Sequence, residues 1–225
     1  MARSKRKGYA RNRVKFQWSK ELIFFLIGLG ICIALMVFCL IPTKQQRFYN
    51  KWYSSSNSLQ LDNVFEEVSY KKLKKNIEKN ADNDELIYVY YATEQDSTSV
   101  TNIGILDHYT NKYEKSNDDT HYDIDTIYVY NAKEAYELNT DDDDEVDALE
   151  EKEDWFNDHL GADIEEISLT SYAQLWIFQG GEMVYSSATL LADEQGSDQG
   201  SNFTLAAIKF LSYSLTTTDA KYSYL

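Results

Sequence analysis

Apolar and polar positions divide the chain into one long uncharged run followed by alternating strand-like and helix-like segments. Leu22 to Ile41 is twenty residues without a charge, which at about 1.5 Å per helical residue is long enough to cross the ~30 Å hydrocarbon core of a bilayer. Residues 43–62 are polar with a Ser/Asn-rich centre, the composition of a flexible stalk. Leu73 and Ile77 then stand four apart in a lysine-rich segment and predict a short amphipathic helix, which Asn80 to Asp84 ends.

Glu85 to Ala92 (ELIYVYYA) is apolar, aromatic and β-branched, which predicts a buried strand. Ile103, Leu106, Tyr109/Thr110 and Tyr113 repeat at helical spacing behind Asp96 or Ser97 as the N-cap. Ile124 to Tyr130 predicts a second strand, and Val146, Leu149, Phe156 and Leu160 a helix ending at Gly161. Ser171 to Gln179 and Glu182 to Ser187 flank Gly180-Gly181 as a β-hairpin, and Phe203, Ala207, Phe210 and Leu211 mark a last amphipathic helix. The predicted order is α-β-α-β-α-β-β-α, with no internal repeat.

Charge fixes the expected orientation of the apolar run. Residues 1–20 hold eight Lys/Arg and no acid, and positive flanks stay cytoplasmic. Residues 43–225 carry 14 Lys/Arg against 36 Asp/Glu, a formal −22, so nucleic acid is not an expected partner outside. A cleaved signal peptide has a shorter apolar stretch and small residues at its cleavage site, whereas this run exits through Ile41, Pro42, Thr43 and Lys44. A lipoprotein needs a small residue before its cysteine, but Phe38 precedes Cys39 and Ile31 precedes Cys32. Trp18 and, beyond the run, Phe48, Tyr49, Trp52 and Tyr53 suit interfacial belts or plain linker positions. Gly28 and Gly30 do not make a G-x-x-x-G dimerisation face. The expected organisation is a basic cytoplasmic segment 1–20, a transmembrane helix 21–42, a polar stalk 43–62 and an extracytoplasmic domain 63–225, single-pass in the cell membrane with the bilayer as a partner.

Both cysteines, Cys32 and Cys39, lie in the apolar run, so the rest of the chain has no disulfide, thiolate metal site or thiol nucleophile. Asp141 to Asp144 with Glu145 and Asp147 are oxygen donors for Ca²⁺, but they lack D-x-D-x-D-G spacing and read better as a solvated loop beside a helix N-terminus. His108, His121 and His159 are scattered without a ligand spacing. Asn202-Phe203-Thr204 fits a glycosylation acceptor by chance. No G-x-S-x-G, P-loop or dinucleotide fingerprint occurs, and no cofactor, metal or catalytic residue is expected. Many of the eighteen tyrosines alternate with aliphatics, as Tyr88, Tyr90, Tyr128 and Tyr130 do, which predicts core use for most and a contact surface for the rest.

The segments YVYYATEQDSTSV and SYAQLWIFQGGEMVY, taken with the element order, resemble the thioredoxin family over about Asn63 to Leu215. The resemblance implies a three-layer α/β sandwich with a mixed sheet of about four strands, and a bacterial single-membrane envelope. On the family pattern the two cysteine places fall on Gln95 and Thr98 and the cis-proline place on Ala173. Neither an amide nor a hydroxyl can attack a disulfide sulfur, and a non-proline cis bond costs roughly 2.5–4 kcal/mol, so the peptide before Ala173 is expected to be trans. The leading expectation is a redox-inactive module for protein interaction or assembly, with an unidentified protein partner. The alternatives are an enzyme or redox-accessory protein using Gln95, Thr98 and Asp96, a structural envelope spacer, and an unrelated α/β domain.

Overall fold

The computed structural model describes residues 19–83, 85–114, 124–188 and 199–213. It divides after Pro42 into two units. The first is α1 (Lys20–Leu40), one helix of 21 residues whose large apolar side chains from Ile23 to Val37 stand exposed. Its window Lys20–Val37 has mean hydropathy 2.3, so one helix is long and apolar enough to cross a membrane.

The second unit, from Thr43 onward, contains α2 (Lys44–Trp52), β1 (Phe65–Val68), α3 (Tyr70–Lys79), β2 (Ile87–Ala92) and α4 (Ser97–Glu114). It continues through β3 (Ile127–Asn131), α5 (Lys133–Tyr136), α6 (Asp143–Asn157), β4 (Gln174–Gln179), β5 (Glu182–Ser186) and α7 (Gln199–Leu211). The five strands form one mixed sheet in the order β1-β3-β2-β4-β5. β1, β3 and β2 run parallel, while β4 is antiparallel to β2 and β5 to β4. Gly180 and Gly181 turn the β4–β5 hairpin at φ +58 and +85, which side chains bearing a Cβ rarely adopt.

Strand periodicity of two gives the sheet an apolar layer on each face. Tyr88, Tyr90 and Ala92 of β2 face one cluster with Ile103 and Leu106 of α4 and Ala207 and Phe210 of α7. Ile87, Val89 and Tyr91 face the other, with Leu73 and Ile77 of α3 and Leu149 and Phe156 of α6. The mixed α/β class and its layers follow the sequence pattern, and the Leu73/Ile77 and Phe203/Ala207/Phe210/Leu211 faces are buried as expected.

Three expectations are corrected. Among the described residues the sheet has five strands rather than about four: β1, FEEV, is a short edge strand whose two glutamates broke the apolar pattern. The segment 43–62 is not a stalk. Thr43 and Gln46 form a reciprocal capping box, the helix they start carries Phe48 and Trp52 four apart, and both rings are buried, stacked at 5.5 Å. Phe48 also stacks on Phe65 of β1 at 5.3 Å, so these two aromatics are core rather than interfacial belt. The third helix predicted from sequence stops at Asn157 instead of Gly161. There the N–H of Gly161 donates to Met183 O at 2.9 Å, closing part of the β5 edge, and a Cβ would stand 2.9 Å from that same oxygen.

From Tyr53 to Asn63 the chain runs as a strap along α4. Asn57 Nδ2 donates to Trp52 O and Val100 O, Ser58 Oγ to Gly104 O, and Gln60 N to Asp107 Oδ2. The α4 partners at 100, 104 and 107 are one helical face, and Leu59 between them is buried.

Candidate functional site

The site sits where β1, β3 and β2 end, the edge at which parallel α/β sheets present loops. β2 stops at Ala92 and turns through Thr93 to Asp96 into α4, whose second residue is Thr98. Asp96 is the N-cap: its Oδ2 accepts from Ser99 N at 2.6 Å and its carbonyl from Val100 N. Gln95 and Thr98 are exposed while Thr93 and Ser99 are buried. Two β2 tyrosines tie the end of this strand to its neighbours, one on each face. Tyr90 OH donates to Ser99 O at 3.0 Å, and Tyr91 OH donates to Leu169 O, in the segment leading to β4, at 2.6 Å. Burial raises both phenols well above their ordinary values, so they remain donors.

Tyr91 pairs with Gln174, so the next positions, Ala92 and Ala173, bring the corner and the start of β4 side by side. No cis peptide bond occurs among the described residues, and Ala173 adopts φ +65, a left-handed conformation costing about 1–2 kcal/mol for a residue with a Cβ. Half-buried Tyr172 packs on exposed Tyr136 of α5 at 5.8 Å, and Gln95 Nε2 donates to Glu137 Oε1 at 2.8 Å. The end of β2 thus lies beside Ala173, while Gln95 stands in the turn after β2 and Thr98 in the first turn of α4.

A second group completes this edge. Lys51 Nζ of α2 bonds Glu67 of β1 at 2.6 Å and Glu94 of the corner at 3.2 Å. Asn131 Nδ2, at the end of β3, donates to Glu67 Oε1 at 2.8 Å and Glu94 Oε2 at 2.9 Å. The four side chains close a ring across three strand ends, beside a cavity of about 280 Å³ lined by Lys44, Arg47, Phe48, Lys51, Glu66 and Glu67. Desolvation alone would lower the Lys51 ammonium, but the bonds and charges of Glu67 and Glu94 outweigh it and raise it. Desolvation likewise works against the Glu94 carboxylate, yet its own backbone N–H, Lys51 and Asn131 hold it below its ordinary 4.5. Glu66 is also lowered, by hydrogen bonds from Lys44 and Lys72. The ring holds charges in fixed pairs and joins α2 to the strand ends.

The sign of the linkage follows from these directions. Depressed carboxyls contribute stability that is present above their unfolded value of about 4.5 and lost as pH falls through their lower folded values. Lys51→Met removes the shared cation, leaving Glu67 and Glu94 beside each other. We expect Glu94 to titrate closer to its ordinary 4.5 in this variant, read by NMR of its side-chain carboxyl, and acid unfolding to begin at higher pH. Because the group is partly exposed, the loss at neutral pH is expected near 1 kcal/mol. An unchanged Glu94 titration would contradict the pairing.

The other candidate residues lie apart from this edge. Asp142 caps α6, accepting from Asp144 N and Glu145 N, with Asp143, Asp144 and Glu145 in the first turn beside the helix dipole. No grouping of three metal-ligating side chains occurs among the described residues. His108 is exposed on α4; His159 Nδ1 lies 2.7 Å from Trp155 O and its ring packs on Trp155. His121 and Trp18 fall outside the described residues. Phe203 of the Asn202-Phe203-Thr204 triplet is buried within α7. The charged ring was missed from sequence; its only local signal is a polar residue closing each apolar strand, Asn131 after IYVY and Glu94 after YYAT.

Compared with known proteins, the chain matches no family model, no curated protein and no solved structure.

Proposed function

We propose that this chain is a redox-inactive, thioredoxin-like interaction module anchored by α1, with residues 43–225 at the outer face of the cytoplasmic membrane. The feature that carries the reading is the β2–α4 corner with Gln95 and Thr98, which leaves β2 next to the start of β4, the strand that Ala173 precedes. Those are the places where the resembled redox family keeps two cysteines and a proline. The strand order and directions, the basic flank of residues 1–20, and the absence of cysteine after Cys39 support it. Buried phenols tie the end of β2 to α4 through Tyr90 and to the segment before β4 through Tyr91, and Tyr136, 44% exposed, stands on Tyr172. A rigid aromatic pair on a fixed edge suits protein recognition better than group transfer.

Copurification from mild detergent is expected to give a stoichiometric protein partner with the parent chain, and to lose it with Tyr136→Ala/Tyr172→Ala. The same full-length preparation is expected to show no insulin reduction. Recovery of the parent alone at physiological expression, or turnover of insulin, would overturn the reading.

A further inference from the structure

We propose that the groove between α5 and α6 receives a cationic segment of the partner protein, in which Lys or Arg residues flank an aliphatic side chain. This rests on the interaction-module reading and gives its partner a chemistry.

The groove encloses about 390 Å³. Buried Leu149, half-buried Leu138 and exposed Ala148 supply its apolar lining, and the exposed Glu134, Glu137 and Glu145 its acids. Among the described residues, Lys152 of the lining is ion-paired with Glu134, and Lys133 just outside it lies 3.6 Å from Glu137. With Glu145 and, before and in the first turn of α6, Asp141 to Asp144, the acids still outnumber these two lysines. An anionic occupant would meet like charge, whereas a cationic one satisfies these acids while its aliphatic side chain covers the apolar lining. The volume is at the small end of ligand pockets and suits one or two side chains. The groove is continuous with the corner through Glu137, which Gln95 bonds at 2.8 Å, so a segment seated there reaches Tyr136 as well.

The test uses the full-length chain in uncharged detergent micelles, with a fluorescein-labelled Gly-Arg-Leu-Arg-Gly peptide and its Gly-Glu-Leu-Glu-Gly counterpart. Anisotropy is expected to show saturable binding of the arginine peptide only, over the signal of empty micelles. Ala148→Trp fills the groove without changing charge and is expected to weaken binding at least tenfold. Glu165→Gln/Glu166→Gln, exposed acids outside the groove, should change it less than twofold. Should Ala148→Trp not fold, Glu137→Gln/Glu145→Gln is expected to give the same tenfold loss. Equal losses from the groove and outside variants, or none from the groove variants, would reduce the effect to bulk charge and overturn the proposal. Self-association that Ala148→Trp abolishes, seen by sedimentation without peptide, would also overturn it, making the occupant a second copy through a lysine-rich helix such as α3. The copurification experiment reads the module itself, so the two readings fall separately.

Discussion

Trp52→Ala is expected to lower the unfolding free energy by about 3–5 kcal/mol, measured by urea denaturation. Trp52 is fully buried although only eleven positions separate it from Ile41, and it stacks on Phe48, which in turn stacks on Phe65 of the edge strand. Truncating the indole opens a cavity between α2, β1 and the strap that rigid neighbours fill only partly. Against a typical total of about 5–15 kcal/mol, that loss is a large share of the stability. The control is Trp52→Phe. The indole Nε1 is buried without a hydrogen-bond partner among the described residues, so phenylalanine removes an unpaired donor while keeping most of the ring's contacts, and its cost should be clearly smaller. A chain beginning at Asn63 lacks both buried aromatics of α2 and is expected to be destabilised comparably or more than Trp52→Ala. If Trp52→Ala unfolded at the parent's urea midpoint, α2 would have to be the stalk its composition suggests.

Gly104→Ala is expected to destabilise by about 1–3 kcal/mol, the usual range for overpacking. Its interest is the sign. Inside an exposed helix the same exchange stabilises by about 1 kcal/mol, because alanine loses less backbone freedom than glycine. At position 104 an added Cβ would lie 2.7 Å from Asn57 Cβ and 2.8 Å from the Ser58 backbone nitrogen. Backbone on one side and a helix on the other leave no flexible tip to yield, so the strap must lift. Lifting it breaks the Asn57, Ser58 and Gln60 bonds to α4. Amide exchange should show faster opening at Gln60 in the variant than in the parent. A gain in stability on Gly104→Ala would mean that the strap does not lie on α4.

Much of the fold was legible because its helices and central strands carry their partners' requirements in their own spacing. Leu73/Ile77 and Phe203/Ala207/Phe210 each mark one helical face, and ELIYVYYA with IDTIYVY contain the two innermost parallel strands. The Gly180-Gly181 hairpin follows from backbone chemistry that needs no distant partner. What was illegible depends on neighbours remote in sequence. FEEV becomes a strand because β3 offers it a ladder, and KQQRFYNKW becomes core because Phe65 and α4 cover its aromatics. At the candidate site, Gln95, Thr98 and Ala173 were singled out only by laying the chain on the pattern of a family it resembles. The Lys51–Glu67–Glu94–Asn131 ring was not, since its members are separated by as many as 80 positions and each looks like an ordinary surface residue.

The sequence alone determined the division into an apolar helix and an acidic remainder, the placement of both cysteines in that helix, and the alternation that makes an α/β domain. Those properties are local, set by composition and by periods of two and 3.6 residues. Only the tertiary structure decided that the polar segment after the helix folds back as α2 and a strap, and that three strand ends meet around one lysine. Burial and charge pairing there arise from chain closure between distant segments, which no local period encodes.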